Sequence, residues 1–489
     1  MIIDLPIVVC GKVINDNSRD KIIIKLENNI EVRLPTLNKE DVNNIINSKL
    51  KTGLHETHFD DITIFFKKMA MFWLEADNKL RDEAVKYCSL VTGYPKSIIL
   101  RDYSLLVQLY AERGQLYDQL DTELGNRWYT DEWVPAQTCL VHAQPRGLVT
   151  NILVGNIPLA SVYGIFRSLM VKNNSLCKLP KKDLVSALYF VLSFVEISPD
   201  HPITKSTSIA YWEKNSWQED RLLGASDAVC LWGGETAINE IKKKIKTGTK
   251  VLEYGPKRSL SLLDLTTIDP SDTMEKLALR AAHDFSIYNQ EACFASQDLY
   301  IVATDDKFES FLKLLKSSLV HFMKVYPKGK IYTDNKAHVL ITRNEQLING
   351  AKVISTENHD WTIIIAKDEK KLQNHPLSRT IVIHRINDLT KVINYVDNYT
   401  QTVCIYPWEA SYSLREDLTI NGVERLCALG CANFPRTGFP HDGIWTLNEL
   451  VKWVSVERDL DFKGKYYNKS KDDFIDELFR AGQVVKQHS

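Results

Sequence analysis

The stretch whose residue types could do chemistry most directly is Tyr288-Asn289-Gln290-Glu291-Ala292-Cys293-Phe294-Ala295-Ser296-Gln297. It follows a helix-like run, Thr273 to Phe285, and precedes a strand-like run, Asp298 to Ala303, a junction where a pocket can open. Free cysteines are usually small buried hydrophobes. Here Asn289, Gln290, Glu291, Ser296 and Gln297 surround the thiol with polar groups, which speaks against a core strand and leaves a nucleophile as the alternative. Attack needs the thiolate, and a free thiol titrates near ~8.5, so main-chain N–H groups or a cation would have to lower it.

The other candidates lie at strand ends. Asn156 follows Gly155 after an apolar run, Val149 to Val154. An asparagine at a turn can simply tolerate an unusual backbone angle, or it can donate its amide to an oxyanion. Lys178 ends the next strand, with Lys181 and Lys182 close behind. They form either a solvated basic patch or a cation set for a phosphate, including a ribose 2′-phosphate. Gly233, Gly234, Glu235 and Thr236 end a further strand. Neither glycine site matches G-x-G-x-x-G, and a tight strand-to-helix turn is reason enough for glycine. His441 and Asp442 sit in a Gly/Pro-rich loop, Pro435 to Gly443, as surface residues or as a proton-transfer site. No serine elbow and no Ser–His–Asp arrangement can be read.

Alternating strands and helices must position these groups. Val149 to Val154 reads as a buried strand, and Ser175 to Leu179, Ser208 to Trp212, Ala228 to Trp232 and Lys250 to Tyr254 as further strands between helices. That pattern predicts a mostly parallel sheet covered on both faces, with ligands beyond the carboxyl ends of its strands. Pro158 fits the first turn of a helix running to Val171, whose free N–H groups could face an anion. A second α/β block runs from Ser259, with strands at Ser259 to Leu265, Trp361 to Ala366, Thr380 to His384 and Thr402 to Tyr406. Short β-like runs fill residues 1–35, a helical layer runs from Phe59 to about Leu120, and Ser470 can cap a last amphipathic helix.

Bulk properties narrow the classes. A chain of 489 residues, 44% hydrophobic, divides into two or three domains with large cores. Its net charge of −1 gives no field that draws in nucleic acid or anionic lipid. No run reaches the ~20 apolar residues of a membrane span, and the start at Met1 shows no signal peptide. The nine cysteines contain no C-x-x-C, which argues against a disulfide frame and structural zinc and for a reducing cytoplasm.

Several longer stretches carry a resemblance: GQLYDQLDTELGNRWYTDEWVP from Gly114, VGNIPLAS from Val154, HPITKSTSIAYW from His201, WGGETAI from Trp232, GPKRS from Gly255, AHDFSIYNQEACFASQDLY from Ala282, PLSR from Pro376, QTVCIYPWE from Gln401 and HDG from His441. Together they resemble the aldehyde dehydrogenase superfamily, and within it the LuxC-type fatty acid reductases of luminescence operons, over nearly the whole chain. The resemblance implies an α/β, aldehyde-dehydrogenase-like fold with a parallel-sheet cofactor domain and a second α/β catalytic domain. The expected divisions are residues 1–54 as a β-rich appendage, 55–255 as the NADP(H) domain, 256–430 as the catalytic domain and 431–489 as a return segment and oligomer contact.

By the same resemblance Cys293 accepts the acyl group, Asn156 serves the oxyanion and Lys178 holds the adenosine ribose. Lys181 stands where NAD-preferring relatives place a glutamate, which favours NADPH. Gly155, Gly233, Gly234 and Glu235 line the cofactor, and His441 joins the catalytic set. The implied reaction reduces an acyl-CoA or acyl-protein thioester to a fatty aldehyde. Implied partners are an acyl-protein synthetase, an acyl-transferase and further copies of the chain. Alternatives are a hydrolytic or CoA-acylating aldehyde dehydrogenase and a non-catalytic acyl-binding subunit. Three features depart from the family pattern. Glu253 lies near the superfamily's general base, which a reductase should lack. No acid for the nicotinamide ribose is evident around Leu377 to Thr380. The tail segment Phe434-Pro435-Arg436-Thr437 differs from the luminescence members.

Overall fold

The structure, a computed structural model, describes residues 1–27, 29–136, 138–158, 160–330, 333–457 and 475–481. Two seven-stranded sheets organise it. In the first, Lys250–Tyr254, Ala228–Trp232, Leu148–Ile152, Asn174–Lys178 and Thr207–Ala210 lie side by side and parallel. Residues 1–35 divide between two sheets. Ile7–Val9 and Lys12–Ile14 extend the first sheet as an antiparallel edge, while Ile2–Asp4, Lys21–Lys25 and Glu31–Pro35 form a small sheet of their own.

The apolar runs are the reason these strands sit centrally. Leu148, Val149, Leu176, Cys177, Val229, Cys230 and Leu231 are all buried, as expected for strands covered on both faces. One cover is the helix Ser186–Ile197, apolar all round and buried along most of its length. It is backed by Phe59–Leu74, whose Phe65 meets Phe194 edge-on at 5.3 Å between ring centres.

The second sheet runs Lys352–Ser355, Thr362–Ile365, Thr380–Arg385, Ser296–Val302, Arg258–Asp264, Thr400–Tyr406 and Arg425–Ala428. All neighbours are parallel except the first pair. A fourth sheet pairs Val451–Glu457 antiparallel to Cys139–Pro145, so the chain returns to the first half after residue 450. Among the described residues no helix is long and apolar enough to cross a membrane.

Three expectations need correction or completion. The helix after Asn156 begins at Val162, not at Pro158. Residues 155–158 are non-helical instead, and the Ser161 hydroxyl donates to the Val154 carbonyl at 2.7 Å. No helix start therefore faces an anion at Pro158. A helix at Thr333–Ile348 and another at Ala410–Ile420 were not foreseen. Ser470 lies outside the described residues; residues 475–481 are helical.

Candidate active site

Parallel register makes strands of one sheet end together. In the first sheet Ile152 pairs with Lys178, and Leu231 with Ile152, so the turns at Gly155 and Gly233-Gly234 open at one edge, beyond the carboxyl ends. In the second sheet Ser259 pairs with Ser296, and Arg258 with Thr400, so the cysteine loop enters at the amino ends. These two edges face each other. The Asn156 amide donates to the Glu291 carbonyl at 2.6 Å. The Tyr94 hydroxyl lies 2.9 Å from the Asn156 carbonyl and 3.0 Å from the Tyr288 carbonyl. Tyr399 donates to the Glu235 carboxylate at 2.8 Å.

Two left-handed turns hold the cysteine loop. Tyr288, Asn289 and Gln290 have φ of 47°, 53° and 67°, and Leu377, Ser378 and Arg379 have 53°, 58° and 58°. Left-handed backbone is costly for residues with a Cβ, so it persists only where surroundings over-determine it. Here each turn braces the other. Gln290 accepts from the Thr380 N–H and donates to the carbonyls of Thr380 and Ser296, each at 2.8 Å. The Ser378 N–H donates to the Asn289 carbonyl at 2.8 Å, and Arg379 Nε donates to Asn289 Oδ1 at 2.8 Å. The Lys328 ammonium donates to the carbonyls of His359 and Ser378 at 2.7 and 2.8 Å. Burial, then the Arg379 charge, pull its pKa down to about 7.

Cys293 is half-buried at the end of this loop. Ser259 Oγ donates to its carbonyl at 2.7 Å, fixing the main chain. The Gln401 amide lies 3.2 Å from Sγ and 2.5 Å from Asp442 Oδ1, so one side chain bridges sulfur and carboxylate. Burial and then the Asp442 charge push the thiol up to about 12. The Gln401 amide and the main-chain N–H groups of Phe294 and Cys293 pull the other way. Asn156 Oδ1 is buried without a hydrogen-bond partner among the described residues. Its Nδ2 carries two hydrogens, of which Glu291 occupies one.

The remaining sequence candidates are placed as follows. His441 is half-buried, stacked on Tyr254 at 5.0 Å, with Nδ1 3.0 Å from Arg167. Burial and Arg167 lower its pKa to about 4, so the ring is neutral near pH 7. Its neighbour Asp442, not His441, is the tail-loop residue that joins the thiol. Lys178 donates to the buried Glu219 at 2.8 Å, and Lys244 shares that carboxylate at 2.6 Å. Lys181 is exposed. A Cβ on Gly155 would lie 2.8 Å from the Asp183 nitrogen, so close packing requires glycine there, while one on Gly234 would meet open space. Glu235 starts the helix Glu235–Lys242 and is engaged by Tyr399 from the other sheet. Glu253 is on the surface, paired with Lys242 at 2.7 Å. Sequence reasoning missed Gln401. Among the described residues no group of His, Cys, Asp and Glu could hold a metal.

Residues 54–453 match the model of the family described as Acyl-CoA reductase (LuxC). The chain belongs to that family. It is 32% identical over 464 residues to the long-chain acyl-protein thioester reductase of Aliivibrio fischeri, covering 94% of this chain and 95% of the relative. The corresponding Vibrio harveyi protein is also 32% identical, covering 94% of each. Among solved structures, aldehyde dehydrogenase 21 from Physcomitrella patens superposes with a TM-score of 0.70 at 13% identity, covering 94% of this chain and 98% of that one. The NADP-dependent glyceraldehyde-3-phosphate dehydrogenase of Bacillus halodurans, complexed with NADP, gives 0.66 at 15% identity, covering 93% and 99%. The fold is thus the α/β fold of aldehyde dehydrogenases, and family membership makes the chain an acyl-reducing oxidoreductase.

Proposed function

We propose that this LuxC-family enzyme reduces a fatty acyl thioester, acyl-CoA or acyl-protein, to the aldehyde with NADPH, through an acyl group carried on Cys293. The observation that carries this reading is the meeting of the Cys293 loop with the Asn156 turn at the facing sheet edges. Sγ attacks the thioester carbonyl carbon. The remaining amide hydrogen of Asn156 and the Cys293 main-chain N–H receive the oxyanion, each donor contributing about 3 kcal/mol to the transition state. As the C–S bond to the carrier breaks, the thiol proton ends on the departing sulfur and an acyl-enzyme remains. Gln401 holds its amide toward Sγ because Asp442 fixes it from behind. His441, neutral and stacked, positions that loop.

The residues at the first sheet's edge fit a dinucleotide. Gly234 leaves open space at a helix start, where main-chain N–H groups favour a diphosphate. Lys178 and Lys181 would take the adenosine ribose and its 2′-phosphate, and Gly155, Gly233 and Glu235 would line the turn. Bound NADPH would supply the hydride that converts the acyl group to the aldehyde level. The chain would then hold the new oxyanion at Asn156 until the Sγ–C bond breaks, releasing the aldehyde, and the thiolate left on Cys293 takes a proton from solvent. Surface-paired Glu253 argues against water activation and thus against hydrolysis.

The relatives' names describe acyl-protein substrates, which supports an acyl-protein synthetase and an acyl-transferase as partners. Ile475, Leu478 and Phe479, exposed on the terminal helical segment, support a contact with another copy of the chain. To test the reaction, tetradecanoyl-CoA and NADPH are mixed with the protein, and nicotinamide absorbance and aldehyde are followed. Turnover that stops in Cys293→Ala is expected. Undiminished turnover in that variant, or free fatty acid as product, would contradict the reading.

A further inference from the structure

At the amino ends of the strands Arg258–Asp264 and Thr400–Tyr406 lies a cavity of about 270 Å³. Arg258, Lys370 and Lys371 line it, with Asp397 as the acid among the lining residues. Three positive charges thus face one negative. Arg258 is ion-paired with Asp397. The Lys371 ammonium is 3.7 Å from the same carboxylate, too far for a hydrogen bond. Asp397 Oδ1 is already taken by the Tyr399 N–H at 3.0 Å and the Thr400 hydroxyl at 3.3 Å.

Two nitrogens are left over. Lys371 Nζ and Arg258 Nε are buried and make no hydrogen bond among the described residues. The Lys371 side chain is only 12% exposed. A buried ammonium without a hydrogen-bond acceptor is costly and shifts toward its neutral form. Burial and Arg258 do lower the Lys371 pKa, against the pull of Asp397. An anion with two negative charges would satisfy both nitrogens and balance the lining. Guanidinium and ammonium donors together are the usual phosphate set.

The place of the cavity narrows which phosphate. Arg258 precedes Ser259, whose hydroxyl holds the Cys293 carbonyl. Asp397 is four residues before Gln401, which touches Sγ, at most about 13 Å of extended chain. A ligand bound here is therefore remote from the reacting carbonyl but within reach of a flexible arm. The glycine turns assigned to the dinucleotide lie on the other sheet. We infer that the Arg258–Lys370–Lys371 cavity binds the phosphate of a phosphorylated pantetheine arm that carries the acyl thioester. This inference rests on the thioester-reductase reading and adds the chemistry of the carrier.

Binding to the full chain tests it without turnover. Pantetheine 4′-phosphate, unphosphorylated pantetheine, inorganic phosphate and NADPH are titrated separately by calorimetry, into wild type and into Lys371→Gln. Wild type should bind the phosphorylated arm about tenfold tighter than pantetheine. Lys371→Gln should erase that preference and leave NADPH binding unchanged. Lys370→Gln, at an exposed site, serves if the buried variant fails to fold. Equal affinity for the two pantetheines overturns the inference. So does an NADPH affinity lost in the variant, which would place a cofactor phosphate here, or inorganic phosphate binding as tightly as the arm. To separate the sources, tetradecanoyl-CoA is compared with a tetradecanoyl phosphopantetheinyl protein. A KM raised in the variant for both places either carrier's phosphate in the cavity, and for one alone names the carrier. Phosphate-dependent binding with no reduction of any thioester would sink the reductase reading and leave the cavity's assignment standing.

Discussion

The thiol proposed as the nucleophile has its pKa pushed up to about 12, by burial first and the Asp442 charge second, and its surroundings bear on how it could attack. Asp442 raises the thiol, while Gln401 keeps a hydrogen-bond donor aimed at sulfur, ready for the negative charge that develops during attack. Asp442→Asn removes one of the two raising influences. Its iodoacetamide alkylation profile should move to lower pH, by less than the whole shift because burial remains. An unmoved or higher midpoint would contradict this. Gln401→Leu should move the midpoint upward and slow acylation about tenfold, the loss of roughly 1.4 kcal/mol of a charge-assisted bond. Cys293 and Asn156 could be singled out from their places at strand junctions, and the structure brings their two loops together, but the roles proposed for them came from the family resemblance. Gln401 was not, since it is 108 residues away from Cys293 and acts only through the sheet register.

Paired left-handed turns set the loop. Gln290 satisfies one main-chain donor and two carbonyls between the strands Ser296–Val302 and Thr380–Arg385. Gln290→Leu orphans these groups, so a stability loss of about 3 kcal/mol is expected in urea unfolding, with acylation slowed as well. The same two strands carry a buried pair, His384 Nε2 at 2.8 Å from Asp298. Burial pulls the His384 pKa down, but the Asp298 bond and charge outweigh it and leave it above the ordinary value. With the folded pKa raised, the pair's contribution is full below the unfolded value of about 6.5 and is lost as pH rises through the folded pKa. The stability gap between wild type and His384→Asn should therefore narrow from pH 6 upward, and a widening gap would refute the linkage. Strands such as Leu148–Ile152 and Ala228–Trp232 were readable as largely apolar runs followed by turn residues. The helix start at Pro158 was misread because Asn156 is held by Glu291 and the Ser161 hydroxyl turns back to the Val154 carbonyl, neither visible in the local sequence. The helix Thr333–Ile348 lacks a clear apolar stripe.

At the scale of the molecule, the site exists because carboxyl ends of one sheet meet amino ends of another. Tyr94, buried, holds that junction through one hydroxyl shared between the carbonyls of Asn156 and Tyr288. Tyr94→Phe should lower stability by about 1 kcal/mol and lower kcat more than it raises KM, since it loosens Asn156, the proposed oxyanion donor, relative to the thiol. A change confined to KM would show that Tyr94 shapes binding alone. The alternation of strands and helices announced two α/β blocks. It did not announce which ends would meet, because that follows from long-range contacts such as Tyr399 to Glu235.

The central claim is that Cys293 becomes acylated. Mass spectrometry of the protein after incubation with tetradecanoyl-CoA, without NADPH, tests it most directly. One hydroxylamine-labile tetradecanoyl group on the peptide containing Cys293, discharged as aldehyde when NADPH is added, is the expected result. An adduct on another residue, or aldehyde formed with Cys293 never modified, would contradict the account.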